Sequence, residues 1–290
     1  MSRIDTVAEN RIHKEGDGFD KEEIIDDWQL DMNFHVFSKH TLQTISAQDT
    51  LVHLECVEQL TPVDMMNLAN GEHDATGHCV WTGAFLLLDA LGVLLEECFT
   101  EKRILELGCG TGIGGIGLMC AHDKERRPSY VLLTDADPDA LQVCQRNCQQ
   151  HNKLPKNKYG IQELTWGEPL SPETLSASFD TTLATDVLYD IALLPPLFQT
   201  AHSALKANGL FVLSHVPRAC YSSQHPPVDD LDQYIIDQAT RSGFFLHRHI
   251  VPNQLPRAFR TEGSLNEPAS LSDMQEVGAS LFVFRKTPIF

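Results

Sequence analysis

Ile104-Leu105-Glu106-Leu107-Gly108-Cys109-Gly110-Thr111-Gly112 decides how the rest of this 290-residue chain is read. Apolar strand residues run into an acid, then three glycines spaced by two, then Ile113 and the apolar start of a helix. A strand that turns this sharply into a helix brings its backbone where a side chain would clash, which suits glycine. In a parallel α/β sheet such a turn lies at the carboxyl edge, with the N-terminus of the helix facing a ligand.

The residue before the first glycine bears on which ligand that is. Gly110 to Gly115 also satisfies G-x-G-x-x-G, and Asp135 falls near the position of a ribose-binding acid in an NAD site, so the glycines alone leave NAD open. A carboxylate at Glu106 would repel a pyrophosphate. S-adenosylmethionine has no phosphate and carries an ammonium and a sulfonium, so Glu106 reads as an acid that faces this cofactor. No Lys-Ser or Lys-Thr follows the glycines, which argues against a P-loop.

With 42% hydrophobic residues the chain fits one large α/β domain with decorations. The formal charge of −18 argues against binding nucleic acid and favours a protein substrate with basic segments. The first residues lack the apolar stretch of a secretory signal, and no run reaches the length of a membrane span. The eight cysteines show no Cys-x-x-Cys and read as reduced structural thiols, Cys144 and Cys148 included, with no metal. The expectation is a cytoplasmic or nuclear monomer.

Along the chain, residues 1–31 read as an acidic flexible arm. Residues 32–76 read as a small N-terminal β-element, a hairpin appended to the main sheet. From 77 to 290 strand and helix alternate. Strands are expected at Arg103–Leu107, Tyr130–Thr134, Tyr159–Thr165, Thr181–Thr185, Leu210–His215, Phe244–Ile250 and Leu281–Arg285. Helices are expected at Val80–Leu95, Ile113–His122, Pro138–His151, Ala192–Leu205 and Asp229–Ser242. This predicts a Rossmann-like, doubly wound seven-stranded sheet, mostly parallel, with an antiparallel last strand. The polar stretch from Pro252 to Gly278 separates the last two strands without a helix.

Seven further residues bear on chemistry. Asp135 ends the second strand, where a carboxylate meets ribose hydroxyls, while Asp137 before Pro138 suits a helix cap. Trp166 follows the third strand and offers its indole to an adenine, or else packs at the core edge. Asp186 and Tyr189 follow the fourth strand and converge on an incoming amine, or else cap a helix and fill a gap. Trp81 opens the helix before the glycine turn as a cofactor wall or as core. His78 and His215 lie near the same edge as candidate bases.

Together Val80-Trp81, Glu106-x-Gly108-x-Gly110-x-Gly112, Thr134-Asp135, Leu164-x-Trp166-Gly167 and Asp186-Val187-Leu188-Tyr189 resemble the seven-β-strand S-adenosylmethionine-dependent methyltransferases. Within these they resemble the protein-lysine methyltransferases called family 16, to whose D-x-x-Y signature Asp186 to Tyr189 is similar. The resemblance spans about Gly77 to Val216. It implies methyl transfer to a lysine of a protein substrate, with S-adenosylmethionine as cofactor. By matching position, Glu106, Gly108, Gly110 and Gly112 would shape the methionine pocket and Trp81 would flank it. Asp135 would hold the ribose and Trp166 the adenine, and Asp186 and Tyr189 would border the substrate channel. Histidine or small-molecule methylation and a non-catalytic scaffold stay open.

Overall fold

A computed structural model describes residues 40–47, 50–57, 76–120, 124–151, 157–170, 178–217, 230–256, 259–262 and 269–287. The acidic arm expected at 1–31 lies outside them. In chain order the elements are β1 (His40–Ala47), β2 (Thr50–Val57), α1 (Thr82–Leu94), β3 (Arg103–Leu107), α2 (Ile113–Cys120), β4 (Tyr130–Asp135), α3 (Pro138–Gln150) and β5 (Tyr159–Glu163). There follow β6 (Phe179–Thr185), α4 (Leu194–Ala204), β7 (Leu205–His215), α5 (Leu231–Arg241), β8 (Phe244–Ile250), β9 (Phe259–Glu262), α6 (Leu271–Glu276) and β10 (Ser280–Lys286).

The main sheet runs β5-β4-β3-β6-β7-β10-β8. Neighbours from β5 to β7 pair in parallel, and β10 pairs antiparallel with both β7 and β8. The seven expected strands and the antiparallel last one are therefore all present. Strand order reverses beside β3, which opens a crevice outside the carboxyl ends of β3 and β6.

Alternation along the strands divides the core between the two faces. Ile104, Val131 and Leu133 pack with α1, α2 and α3, while Leu105, Leu107 and Leu132 pack with α4 and α5. Helix starts follow their caps. Asp137 accepts from the Asp139 N–H at 2.9 Å with Pro138 in the first turn, and Asp230 accepts from Gln233 N–H at 2.9 Å.

Two expectations need correction. The N-terminal hairpin, β1 with β2, is not appended to the main sheet. It forms a separate three-stranded sheet in the order β2-β1-β9, because a segment of the long polar stretch supplies a third strand against β1. That stretch also holds a helix: α6 lies between β8 and β10 and is opened by a reciprocal pair of bonds between Ser270 and Asp273. From β2, Val52 and Leu54 pack into the core beside α1 and α2.

Candidate active site

A cavity of about 730 Å³ opens at the carboxyl ends of β3, β4 and β6, within the usual size of a small-molecule site. Trp81, Asp135, Trp166, Asp186 and Tyr189 all line it, as do Gly108 and Gly110. Seven of the nine residues that the resemblance assigns to the site thus meet at one place. Glu106 and Gly112 do not line it.

The three glycines of the turn are left-handed, with φ of +70° at Gly108, +50° at Gly110 and +84° at Gly112. A side chain would be strained there, and protein neighbours also occupy the space. A Cβ on Gly108 would lie 2.8 Å from Val187 Cγ1 and 3.0 Å from Trp166 Cζ2. One on Gly110 would lie 2.7 Å from the Gly77 carbonyl oxygen. The Gly108 gap lets the Trp166 indole close over the turn, so a flat ring forms one cavity wall.

Glu106 corrects the sequence reading. Its carboxylate turns away from the cavity and under the start of α2, because alternation along β3 puts residue 106 on the same face as Ile104. There it is buried, and its Oε2 accepts from the Gly115 N–H at 2.8 Å. Burial pushes this carboxyl up to about 8, the Gly115 bond opposes the rise, and the Asp135 charge adds to it. Gly114 and Gly115 leave room for it: a Cβ on Gly115 would stand 2.8 Å from Oε2. Gly115, the last glycine of the apparent dinucleotide fingerprint, and its neighbour Gly114 therefore accommodate an acid rather than a ligand.

Asp135 is placed as expected, at the end of β4 and at the cavity. Its Oδ2 accepts from Gly110 N–H at 2.9 Å and its Oδ1 from Asp137 N–H at 3.0 Å. Burial raises its titration point despite those bonds. The neighbouring Asp137 caps α3 and also meets His78 Nε2 at 3.4 Å, which lowers the Asp137 titration point against the effect of burial.

Asp186 joins three elements. It is buried at the end of β6 with φ of +56°. Oδ2 accepts from Gly83 N–H at 2.8 Å and Oδ1 from Val216 N–H at 3.2 Å. Trp81, the residue before α1, makes no side-chain cap, so Asp186 supplies that helix with its cap from a distant strand. Ser214 tightens the junction: its hydroxyl donates to the Gly83 carbonyl at 2.7 Å, and its own carbonyl accepts from Asp186 N–H at 2.7 Å. The capping role weighed for Asp186 is present, and the residue still lines the cavity. Asp190 caps the following helical turn through Ala192 N–H at 2.8 Å. Tyr189 does not fill a gap; it is 48% exposed at the cavity.

The two histidines considered as bases are engaged elsewhere. His78 meets Asp137, and His215 is buried with its Nε2 3.2 Å from Asp232, stacked beside Phe282. Neither lines the cavity. Sequence reasoning missed Gly77, Leu193 and Pro196 in the lining, and Asn147 behind it. The reason for Gly77, its approach to Gly110, depends on a pairing that no local pattern records.

The lining carries three carboxylates, Asp135, Asp137 and Asp186, and among the described residues no Lys, Arg or His. An NAD pyrophosphate would meet acids without a balancing cation, whereas a cationic, phosphate-free nucleoside fits. A doubly wound sheet with such a crevice at its switch point defines a nucleoside-cofactor α/β protein of the methyltransferase type. Residues 60–225, just over half of the chain, match a family model described as lysine methyltransferase, and the protein belongs to that family.

Relatives agree with this while differing in the acceptor their names state. Methyltransferase-like protein 22 of Mus musculus is 33% identical over 142 residues, 43% of this chain and 34% of that protein. The EEF1A lysine methyltransferase 3 of Xenopus tropicalis is 31% identical over 166 residues, 56% of this chain and 67% of that protein. The histone-arginine methyltransferase METTL23 of Xenopus laevis is 32% identical over 118 residues, 39% of this chain and 45% of that protein. The chain spans between about a third and little over half of the length of the first curated relatives it matches. S-adenosylmethionine is the methyl donor of this fold and family.

Proposed function

We propose that the protein is a protein-lysine N-methyltransferase, moving a methyl group from S-adenosylmethionine to a lysine Nζ of a protein substrate. The observation that carries this reading is the cavity's charge: three acids, two tryptophans and a tyrosine, with no cationic side chain among the described lining residues. Asp135 would hold the ribose, Trp166 the adenine, and Trp81 the methionine end. Bound in this cavity, S-adenosylmethionine supplies an activated methyl group on a sulfonium.

The acceptor amine must reach the donor neutral and in line. A free lysine titrates near 10.4, so its neutral form lies about 4–5 kcal/mol above the ammonium at pH 7. A carboxylate favours the charged amine, so Asp186 cannot be the group that lowers the lysine's titration point. Its role is to orient the ammonium from the cavity wall, where the Gly83 and Val216 N–H groups hold its carboxylate in place. Tyr189, three residues on and partly exposed, borders the same entrance and offers a hydroxyl or a ring face to the amine. Desolvation in the cavity then drives loss of the lysine proton to solvent.

The charge of −18 supports a basic segment as substrate, and nucleic acid is not expected to bind. Scattered cysteines without a Cys-x-x-Cys support a reducing compartment, cytoplasm or nucleus, and we expect a monomer. The test is incubation of the full chain with cell extract and labelled S-adenosylmethionine, followed by identification of the labelled residue. Label on a lysine of one or a few proteins is expected. Label on arginine, histidine or a small molecule, or no transfer above background, refutes the reading.

A further inference from the structure

We infer that Asn147 is a positioning residue of the cofactor site, clamping the Thr111 turn to the N-terminal hairpin. Asn147 lies on α3 and is buried. Its Nδ2 donates to the Thr111 carbonyl at 2.8 Å and to the Glu55 carbonyl at 3.0 Å, and its Oδ1 accepts from Glu55 N–H at 2.6 Å. Both amide hydrogens are committed, each to the backbone of a segment distant in sequence.

Each end of this clamp needs it. Among the described residues β2 is an edge of the three-stranded sheet, and Asn147 meets the N–H and carbonyl of Glu55. Asn147 completes them as a neighbouring strand would. At the other end, Thr111 sits between two glycines with positive φ, a turn that lines the cavity. Glycines on both sides give this turn many accessible conformations, so a single one persists where its surroundings hold it. Next in sequence, Arg146 grips the Glu55 carboxylate through Nε and Nη2 at 2.9–3.1 Å. Arg146 thus anchors the hairpin without touching the turn, whereas Asn147 holds both.

The hairpin and the cofactor turn consequently share one buried amide, and a change at either is felt at the other. The inference rests on S-adenosylmethionine being the ligand of this cavity, and the experiment separates the two. Affinity of the full chain for S-adenosylmethionine is measured by calorimetry for wild type, Asn147→Ser and Arg146→Ala. Loss of the Thr111 bond should weaken binding about tenfold in Asn147→Ser, while Arg146→Ala stays within about twofold. In wild-type protein, saturation with S-adenosylmethionine should slow hydrogen exchange of the Glu55 amide at least several-fold, a readout that needs no variant to fold. Equal weakening in both variants overturns the inference, as does wild-type affinity in Asn147→Ser or an unchanged Glu55 amide. A wild-type chain that fails to bind S-adenosylmethionine overturns the cofactor reading itself, and the inference with it.

Discussion

Glu106→Gln isolates the consequence of burying an acid beneath the glycine turn. The Glu106 carboxyl titrates at about 8 in the folded protein against an ordinary 4.5, with burial the leading cause. Below pH 4.5 both folded and unfolded chains hold the proton, and the site contributes nothing to the pH dependence. Between 4.5 and 8 the unfolded chain releases it and the folded chain keeps it, so stability falls as pH rises through this window. Each pH unit costs up to about 1.4 kcal/mol, and the whole window up to about 5 kcal/mol. Gln keeps an oxygen for Gly115 N–H and does not ionise, so the variant lacks this slope. Its unpaired amide hydrogens lower stability by about 1–3 kcal/mol at every pH, which is why slopes and not absolute stabilities are compared. His151 and His202, whose titration points burial lowers, contribute equally to both proteins. Urea unfolding from pH 5.5 to 7.5 should show wild type losing about 2–3 kcal/mol more than the variant over that range. A difference between the two proteins that stays constant across the range refutes the argument.

Three more substitutions follow from the geometry. Gly83→Ala places a Cβ 2.7 Å from Asp186 Cβ, so the start of α1 must shift; methyl transfer should fall at least about tenfold in steady-state assays while cofactor affinity changes less than about threefold. Asp186→Asn keeps a residue that tolerates φ of +56° but removes the charge and turns an amide hydrogen toward one backbone donor. Transfer should fall about a hundredfold with S-adenosylmethionine binding, measured by calorimetry, nearly intact; equal loss of both would refute its assignment to the acceptor side. Lys286→Met leaves the His202 and Leu205 carbonyls at the end of α4 without the Nζ that now meets them at 2.6 and 2.8 Å; denaturant unfolding should show a loss of about 1–3 kcal/mol.

Most of the sheet was legible because local patterns specify local elements. The apolar strands, the Asp137-Pro138 helix start and the run of glycines each depend on neighbours within a few residues. The two misplacements concern β9 and α6, which lie in a stretch with few apolar residues to show a period. β9 forms only because β1 offers it an edge, and that pairing spans most of the chain. The cavity was legible for a related reason. In a doubly wound sheet the carboxyl ends of adjacent strands fall together, so Asp135, Trp166 and Asp186 had to approach one another once the strands were in order. What stayed hidden were contacts between backbones and distant side chains: Asp186 with Gly83, Ser214 with the same residue, and Asn147 with Thr111 and Glu55.

Glu106 shows where reading by resemblance and reading by geometry part. As the acid that opens a glycine turn it reads as a residue that meets the cofactor. Strand parity says otherwise from the same letters: Leu105 and Leu107 face α4 and α5, so residue 106 must face α2. Gly114 and Gly115, in the first turn of α2, are the counterpart of that parity, since a side chain at either would strike the Glu106 carboxyl group. The acid then selects the ligand indirectly. It fills the space under the helix with a group that accepts from Gly115 N–H, one of the free donors of a helix N-terminus that a phosphate would use. A protein that spends this donor on its own buried carboxyl group has made its glycine turn a poorer site for pyrophosphate, and leaves the cavity's charge to Asp135, Asp137 and Asp186.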